Sequence, residues 1–260
     1  MAAPQGARTR SRRLVDPRLV DALMTGLIRA VAGLLVALLA FLIIHILLAG
    51  RGELGNSNFI LGAPHSFTAG GGIGPQLFNS FYILFLSLLF TVPLGLAAGV
   101  YLAEYARPGR LVEVLRLATD TLATLPSIVV GLFGLLVFVE ATHWHYTRLG
   151  GALALTIINL PYAVRVTEDA FRGVSRALLE GSLAVGATRW QSIRKVLFPA
   201  ALPSLITGLI LVSGRAFGEA AALLYTAGQS APTHNFVNLN PFAPGETMAV
   251  LVFAFRQEAN

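Results

Sequence analysis

The segment EGSLAVGATRWQSIRKVLFP, residues 180–199, is a short polar and basic stretch between two long apolar segments. Gly186 is placed to end a first short helix, because glycine adopts the left-handed backbone conformation of a helix end without steric cost. Thr188 and Gln191 have the spacing of a capping box, which predicts the start of a second helix. The segment therefore predicts a small helical hairpin, and the fold follows from what surrounds it.

The second helix of this hairpin is predicted to be amphipathic. Trp190, Ile193 and Leu197 recur at helical spacing and are expected on one face. Pro199 and Pro203 follow, and they predict that the short helix ends before the chain enters the next apolar segment. An ordered, basic loop in an otherwise apolar chain is typical of a docking site for another protein.

The composition is that of a membrane protein. Hydrophobic residues make up 55% of the 260 residues and charged residues 12%, with a mean hydropathy of +0.70. Segments of about 18 or more apolar residues are candidate membrane spans. The predicted spans are Ala30–Ala49, Leu77–Ala103, Ala118–Ala141, Gly150–Val164 and Leu202–Ala227. We therefore expect an all-α polytopic membrane protein.

Two further features refine this expectation. Gly95 and Gly99 have the small-xxx-small spacing that lets another helix approach the second span closely. Met248–Phe255 is apolar but too short to cross roughly 30 Å of hydrocarbon. Along the chain we predict a basic tail at 1–29, a first span at 30–49, an external segment at 50–76, and a main membrane domain at 77–260 with the hairpin loop at 175–199.

The net charge of +6 is distributed as in membrane topology signals. Most of the 19 lysine and arginine residues lie in three patches, at 8–29, 107–116 and 165–195. Cytoplasmic loops of membrane proteins carry an excess of such residues, so all three patches are expected on the cytoplasmic side, together with the N-terminus. This pattern argues against nucleic acid as the partner of the basic surface.

Motifs for enzymatic or metal chemistry are weak in this sequence. The chain has no cysteine, which excludes disulfides and thiolate metal sites. The glycine-rich run 70–74 is not followed by the Lys-Ser/Thr pair of a phosphate-binding loop, so we expect no ATP site in this chain. His143 and His145 stand without carboxylate or cysteine neighbours and are expected to be interfacial rather than metal ligands. No cofactor is expected.

The hairpin segment and its flanks resemble a known family. The pattern Glu-Gly-Ser, three residues, Gly, nine residues, Val-Leu-Phe-Pro resembles the cytoplasmic EAA loop of ABC importer permeases. The flanking motifs VYLAEY at 100–105, LPSIVVGL at 125–132 and RAFGEAA at 215–221 are similar to those of the permease subunits of phosphate importers. The resemblance extends from about residue 70 to 228. It implies the type I importer transmembrane fold, with about five of an expected six membrane helices present.

The resemblance also implies how the chain works with other proteins. Glu180, Gly181, Ser182 and Gly186 would form the coupling helix that sits in a cleft of a separate ATPase. The expected partners are a second homologous permease subunit, an ATPase dimer and an extracytoplasmic phosphate-binding protein, and the chain itself is expected in the inner membrane. Since the family usually has alanine at the position of Gly181, the coupling helix is expected to be looser here by roughly 1 kcal/mol.

Two pairs of charged residues are candidates for the translocation path. Arg215 and Glu219 are spaced i, i+4 and are predicted on one face of the fifth span. Charges at this depth are costly, so they either form a structural ion pair or line a path for an anion. Arg165 and Glu168 are predicted to close the fourth span, either as an interfacial anchor or as part of the same path. The resemblance favours the path for Arg215 and Glu219. It includes the spacing of Arg165 and Glu168 as well, but for this pair both interpretations stay open.

Arginine suits several substrates, and the alternatives stay open at this stage. Guanidinium groups bind phosphate, and they bind sulfate or molybdate equally well. Only the resemblance selects an ABC phosphate importer over an importer of another oxyanion. An ATP-independent anion carrier that uses Arg215 and Glu219 is a further alternative. A DNA-binding helix-turn-helix at 175–199 is disfavoured by the apolar flanks.

Overall fold

The computed structural model describes residues 17–62, 64, 71–230 and 237–258, and their regular secondary structure is helical. The prediction of an all-α protein is therefore confirmed. The predicted basic tail lies largely outside the described residues, as does part of the external segment, including Gly70. The helices are α1 (Pro17–Leu54), α2 (Ser57–Leu61), α3 (Gly74–Val100), α4 (Arg110–Thr124), α5 (Ser127–Gly134), α6 (Arg148–Arg172), α7 (Arg176–Ala184), α8 (Arg189–Ser192), α9 (Phe198–Phe217), α10 (Ala221–Thr226) and α11 (Met248–Glu258).

Three π-helical turns extend these helices, at Tyr101–Tyr105 after α3, at Leu135–Ala141 after α5 and at Ile193–Leu197 after α8. Within the described residues, four helical segments are long and apolar enough to cross a membrane, or five if one bent pair counts as a span. The four are Arg18–Glu53, Gly74–Tyr105, Arg148–Arg172 and Arg189–Phe217. The chain forms two compact units, residues 1–56 with α1 and residues 57–260 with all the other helices.

The prediction that the third span is a single straight helix is wrong. Residues 110–124 and 127–141 form two helical segments that meet at an angle of 97°. Leu125 separates them in an extended conformation, with φ −64° and ψ 134°. It precedes Pro126, whose ring disfavours a helical conformation of the residue before it. The proline was visible in the sequence, but the predicted span Ala118–Ala141 ran across it.

The boundaries of the fourth and fifth spans were also misplaced. Helix α6 runs on to Arg172, beyond the predicted end at Val164. The segment Arg189–Phe217 is continuous through Pro199 and Pro203, so neither proline separates the hairpin from the span. Pro199 lies just after the π turn that ends at Leu197, and Pro203 lies inside α9. The helix then ends at Gly218, well before the predicted end at Ala227.

Close packing of α3 against α6 organises the second unit. A Cβ atom added to Gly95 would lie 2.6 Å from the Cβ of Ala163, and one added to Gly99 would lie 2.4 Å from the Cβ of Thr167. These distances confirm the predicted close approach, because only a hydrogen fits between the two backbones. Helix α11 packs Val250 into the apolar cluster that includes Ile83, Leu155 and Leu223. As expected, α11 is not among the candidate spans.

Candidate functional site

The predicted hairpin is present, and its turn has the expected geometry. Gly186 has a φ of +87°, and its backbone N–H donates to the Leu183 carbonyl over 3.0 Å. The Ala187 N–H donates to the carbonyl of Ser182 over 3.2 Å, which completes the cap of α7. The capping box at Thr188 and Gln191 is formed in both directions. We call residues 176–197, which comprise α7, α8 and the π turn after α8, the docking hairpin.

The docking hairpin has its own apolar core. Leu179, Ile193 and Leu197 are buried in a cluster that also contains Ala103 and Phe171 from the neighbouring helices. The hydroxyl of Ser182 donates to the hydroxyl of Ser192, which links α7 directly to α8. Trp190 is 60% exposed while Ile193 and Leu197 are buried, and it lines the same apolar cleft as Ile193. The hairpin is thus held by packing against the neighbouring helices, and its tryptophan stays largely exposed.

The tip of the docking hairpin presents small and exposed residues. Glu180 and Gly181 are exposed, and a Cβ added to Gly181 would meet no atom within 4 Å. Val185 is 85% exposed at the end of α7. A surface of this kind, with one carboxylate beside an exposed valine and glycine, has no internal packing role. It is available to another protein.

Glu104 is a site residue that the sequence reasoning missed. It lies in the π turn after α3, and its residue surface is only 4% exposed. Its Oε2 atom has no hydrogen-bond partner and lies 4.0 Å from the Nη2 atom of Arg189 in the docking hairpin. The guanidinium of Arg189 also lies over the ring of Tyr105, 5.5 Å from the ring centroid. A polar residue next to an apolar span end was the available signal, but its burial depends on packing against a distant hairpin.

The prediction that Arg215 and Glu219 share a helical face is wrong. Helix α9 ends at Phe217, Gly218 caps it, and Glu219 lies in the non-helical link to α10. The Glu219 carboxylate accepts a hydrogen bond of 3.4 Å from the Ala222 backbone, at the start of α10. The guanidinium of Arg215 lies over the ring of Tyr162, 4.3 Å from its centroid. No ion pair joins the two residues, because the break at Gly218 turns the carboxylate away.

Arg165 and Glu168 also have partners other than each other. Arg165 pairs with Asp120 of α4 over 2.6 Å, and both side chains are more than half exposed. Glu168 accepts from Arg116 of α4 and from Arg172, each over 2.7 Å. These residues line one cleft between α4 and α6. They do not close the fourth span, since α6 continues past them to Arg172.

A second polar cluster, also missed from the sequence, lies at the start of α6. Arg148 is fully buried, and its Nη1 atom donates to the carbonyl oxygens of Asn238 and Asn240. Gln76 donates over 2.9 Å to the carboxylate of Glu246. Burial raises the pKa of the Glu246 carboxyl, and the hydrogen bond from Gln76 opposes that rise. The cluster connects the segment after α10 to the N-terminal ends of α3 and α6.

Comparison with known proteins places the chain in a family. The profile of the family "Binding-protein-dependent transport system inner membrane component" matches residues 92–239, which contain the docking hairpin and both charged pairs. The chain belongs to this family. It is thus a permease component of an ABC transporter, a multi-pass protein of the inner membrane.

Individual relatives agree with this assignment. The probable ABC transporter permease protein YqgI of Bacillus subtilis is 49% identical over 248 residues, which cover 92% of this chain and 84% of that protein. The phosphate transport system permease protein PstA of Xylella fastidiosa (strain 9a5c) is 39% identical over 60% of this chain and 55% of its own length. PstA of Yersinia pestis is 34% identical over 74% and 63%. The chain thus spans less than two thirds of the length of these two PstA proteins.

Among solved structures, inward-facing forms of the MetNI methionine ABC transporter are similar. The native crystal form has a TM-score of 0.49 at 22% sequence identity, and the similarity covers 72% of this chain and 86% of that one. The selenomethionine-soak form has a TM-score of 0.47 at 25% identity, over 56% of this chain and 68% of that one.

Proposed function

We propose that this chain is a permease subunit of an ABC importer for inorganic phosphate. The observation that carries the proposal is the similarity, at 34% and 39% identity, to PstA proteins whose name is phosphate transport system permease. In the same region, Arg215 lies in the last turn of α9, next to the short non-helical link to α10. The ATP-independent carrier loses its support, since the family is a binding-protein-dependent transport system.

The docking hairpin would bind a separate ATPase and transmit its conformational change to the membrane helices. Glu180 offers an exposed carboxylate to a basic residue of that ATPase, and Gly181 and Ser182 are small enough to let α7 sink into a cleft. The turn at Gly186 fixes the angle between α7 and the long segment Arg189–Phe217. Closure of the ATPases would then tilt this segment and switch the path between outward and inward openings. This arrangement requires the hairpin on the cytoplasmic side, and it leaves ATP hydrolysis to the partner. If the bent pair of α4 and α5 counts as one span, four spans precede the hairpin and the N-terminus lies on the cytoplasmic side as well.

Arg215 would meet the anion inside the membrane. Its guanidinium is exposed in this subunit and rests on Tyr162, which contributes no negative charge that would compete with an anion. Arginine can form paired, charge-assisted hydrogen bonds with a phosphate oxygen pair. Glu219 holds the first turn of α10 in place through its bond to Ala222. Arg165, with Glu168 and their partners on α4, would line the cytoplasmic mouth of the path.

The complete importer would contain a second homologous permease, an ATPase dimer and an extracytoplasmic phosphate-binding protein. The test is uptake of labelled phosphate by liposomes that hold this assembly, with ATP inside and competing anions outside. We expect phosphate to compete fully and sulfate and molybdate to compete weakly. Equal or stronger uptake of sulfate or molybdate would assign the chain to an importer of another oxyanion.

A further inference from the structure

The end of α3 and the docking hairpin meet through three successive residues. Ala103 packs in the apolar core of the hairpin with Leu179 and Ile193. Glu104 faces Arg189, and the ring of Tyr105 lies beside the same guanidinium. The second membrane span is therefore in contact with the hairpin at its last turn, although about 80 residues of sequence separate them.

The contact between Glu104 and Arg189 is incomplete in this structure. The Oε2 atom of Glu104 is buried without a hydrogen-bond partner, and the distance of 4.0 Å to Arg189 Nη2 exceeds the 2.7–2.9 Å or so of a charge-assisted hydrogen bond. A buried carboxylate without a partner is unfavourable, because it has lost its hydrogen bonds to water without gaining others. A shift of roughly 1 Å by Arg189 would complete the pair.

Two links within the docking hairpin connect its tip to the helix that carries Arg189. The capping box at Thr188 and Gln191 fixes the start of α8, directly beside Arg189. The bond between Ser182 and Ser192 joins the coupling helix to α8 across the turn. A displacement of α7 is thus transmitted to Arg189 rather than absorbed by a flexible loop.

We propose that Glu104 is the positioning residue through which the docking hairpin drives the second membrane span, and that docking of the ATPase completes its ion pair with Arg189. The docked state gains a buried, paired carboxylate that the undocked state lacks, so the ATPase favours the state in which α3 follows the hairpin. The inference rests on the proposed docking of an ATPase and is independent of which anion is moved.

The experiment compares variants of the complete importer in liposomes. We expect Glu104→Gln to keep the ATPase bound and the melting temperature unchanged or higher, because it removes an unpaired buried charge, while uptake per ATP hydrolysed falls at least tenfold. Arg189→Gln, whose side chain is half exposed and tolerant of change, should give the same loss. The double variant should be no worse than either single one, because both changes break one link. Arg110→Gln, the same loss of charge at an exposed arginine of α4 outside the docking hairpin, should behave like the original protein.

A second readout separates this inference from the proposed substrate. Hydrogen exchange of the backbone amides at 101–106 should slow when ATP is added to the complex, and this protection should be absent in Glu104→Gln. If the unaltered complex moved no phosphate, the proposed function would fail while the exchange data still decided the role of Glu104. Unchanged coupling and exchange in Glu104→Gln would overturn the inference. So would a joint loss of assembly and thermal stability, which is the signature of a purely structural residue.

Discussion

The docking hairpin and the junction between α9 and α10 both carry charged residues that the sequence singled out, but they are held differently. The hairpin is fixed by a two-way capping box, a glycine turn and a buried core. At the junction, Arg215 and Glu219 are each held by one contact on opposite sides of a helix break. The difference suggests a division of labour. A region that transmits force has to be stiff, whereas a region that passes an anion needs groups that can change partners.

The largest effect is expected at the tip of the docking hairpin. Glu180→Lys should abolish capture of the ATPase, because reversal of a charge in a buried interface pair costs about 2–5 kcal/mol, or at least thirtyfold in affinity. Membrane insertion should be unchanged. Co-purification of the ATPase with the tagged permease measures this effect. Glu113→Lys, the same change at an exposed position of α4, is the control, and equal ATPase capture by both variants would contradict the account.

At the junction between α9 and α10, we expect substitution to reduce uptake while ATPase binding is retained. Arg215→Gln should lower phosphate uptake by at least tenfold, since the neutral amide cannot attract the anion, yet the ATPase should still co-purify. Arg215→Lys should retain part of the uptake, because it keeps the charge and loses the paired geometry. Uptake by reconstituted liposomes measures both variants. Normal uptake by Arg215→Gln would instead make Arg215 a structural residue.

A smaller effect is expected from the turn of the hairpin. Gly186→Ala places a side chain at a φ of +87°, which costs about 1–2 kcal/mol even though the site has open space around it. The melting temperature of the purified permease and its affinity for the ATPase should both fall. If neither changed, the turn would not fix the hairpin angle.

The smallest effect is expected at Gly181, where the substitution should stabilise the protein rather than destabilise it. Gly181→Ala lies inside α7, where alanine is more favourable than glycine by up to about 1 kcal/mol and meets no neighbouring atom. The variant should have an equal or higher melting temperature. Since Gly181 and Gly186 undergo the same chemical change, their comparison separates backbone conformation from side-chain size. A loss of ATPase binding in Gly181→Ala alone would mean that the cleft requires glycine.

The two regions also differ in how well the sequence predicted them. The hairpin was predicted in detail because its signals are local: a glycine at a helix end and a threonine and glutamine three residues apart. The pair Arg215 and Glu219 was placed on one helix because Gly218 can equally well continue a helix or end it. Glu104 and Arg148 were missed as site residues, since their burial arises from packing between segments far apart in the sequence.

The most direct test of the account is the location of the hairpin tip in the assembled transporter. The chain has no cysteine, so Val185→Cys introduces a unique thiol at a residue that is 85% exposed. We predict that a short thiol-reactive crosslinker joins this residue to the ATPase in membranes, while Leu239→Cys, an exposed position beyond α10, gives no such product. A Val185→Cys thiol that is labelled only from the side opposite the ATPase would contradict the account.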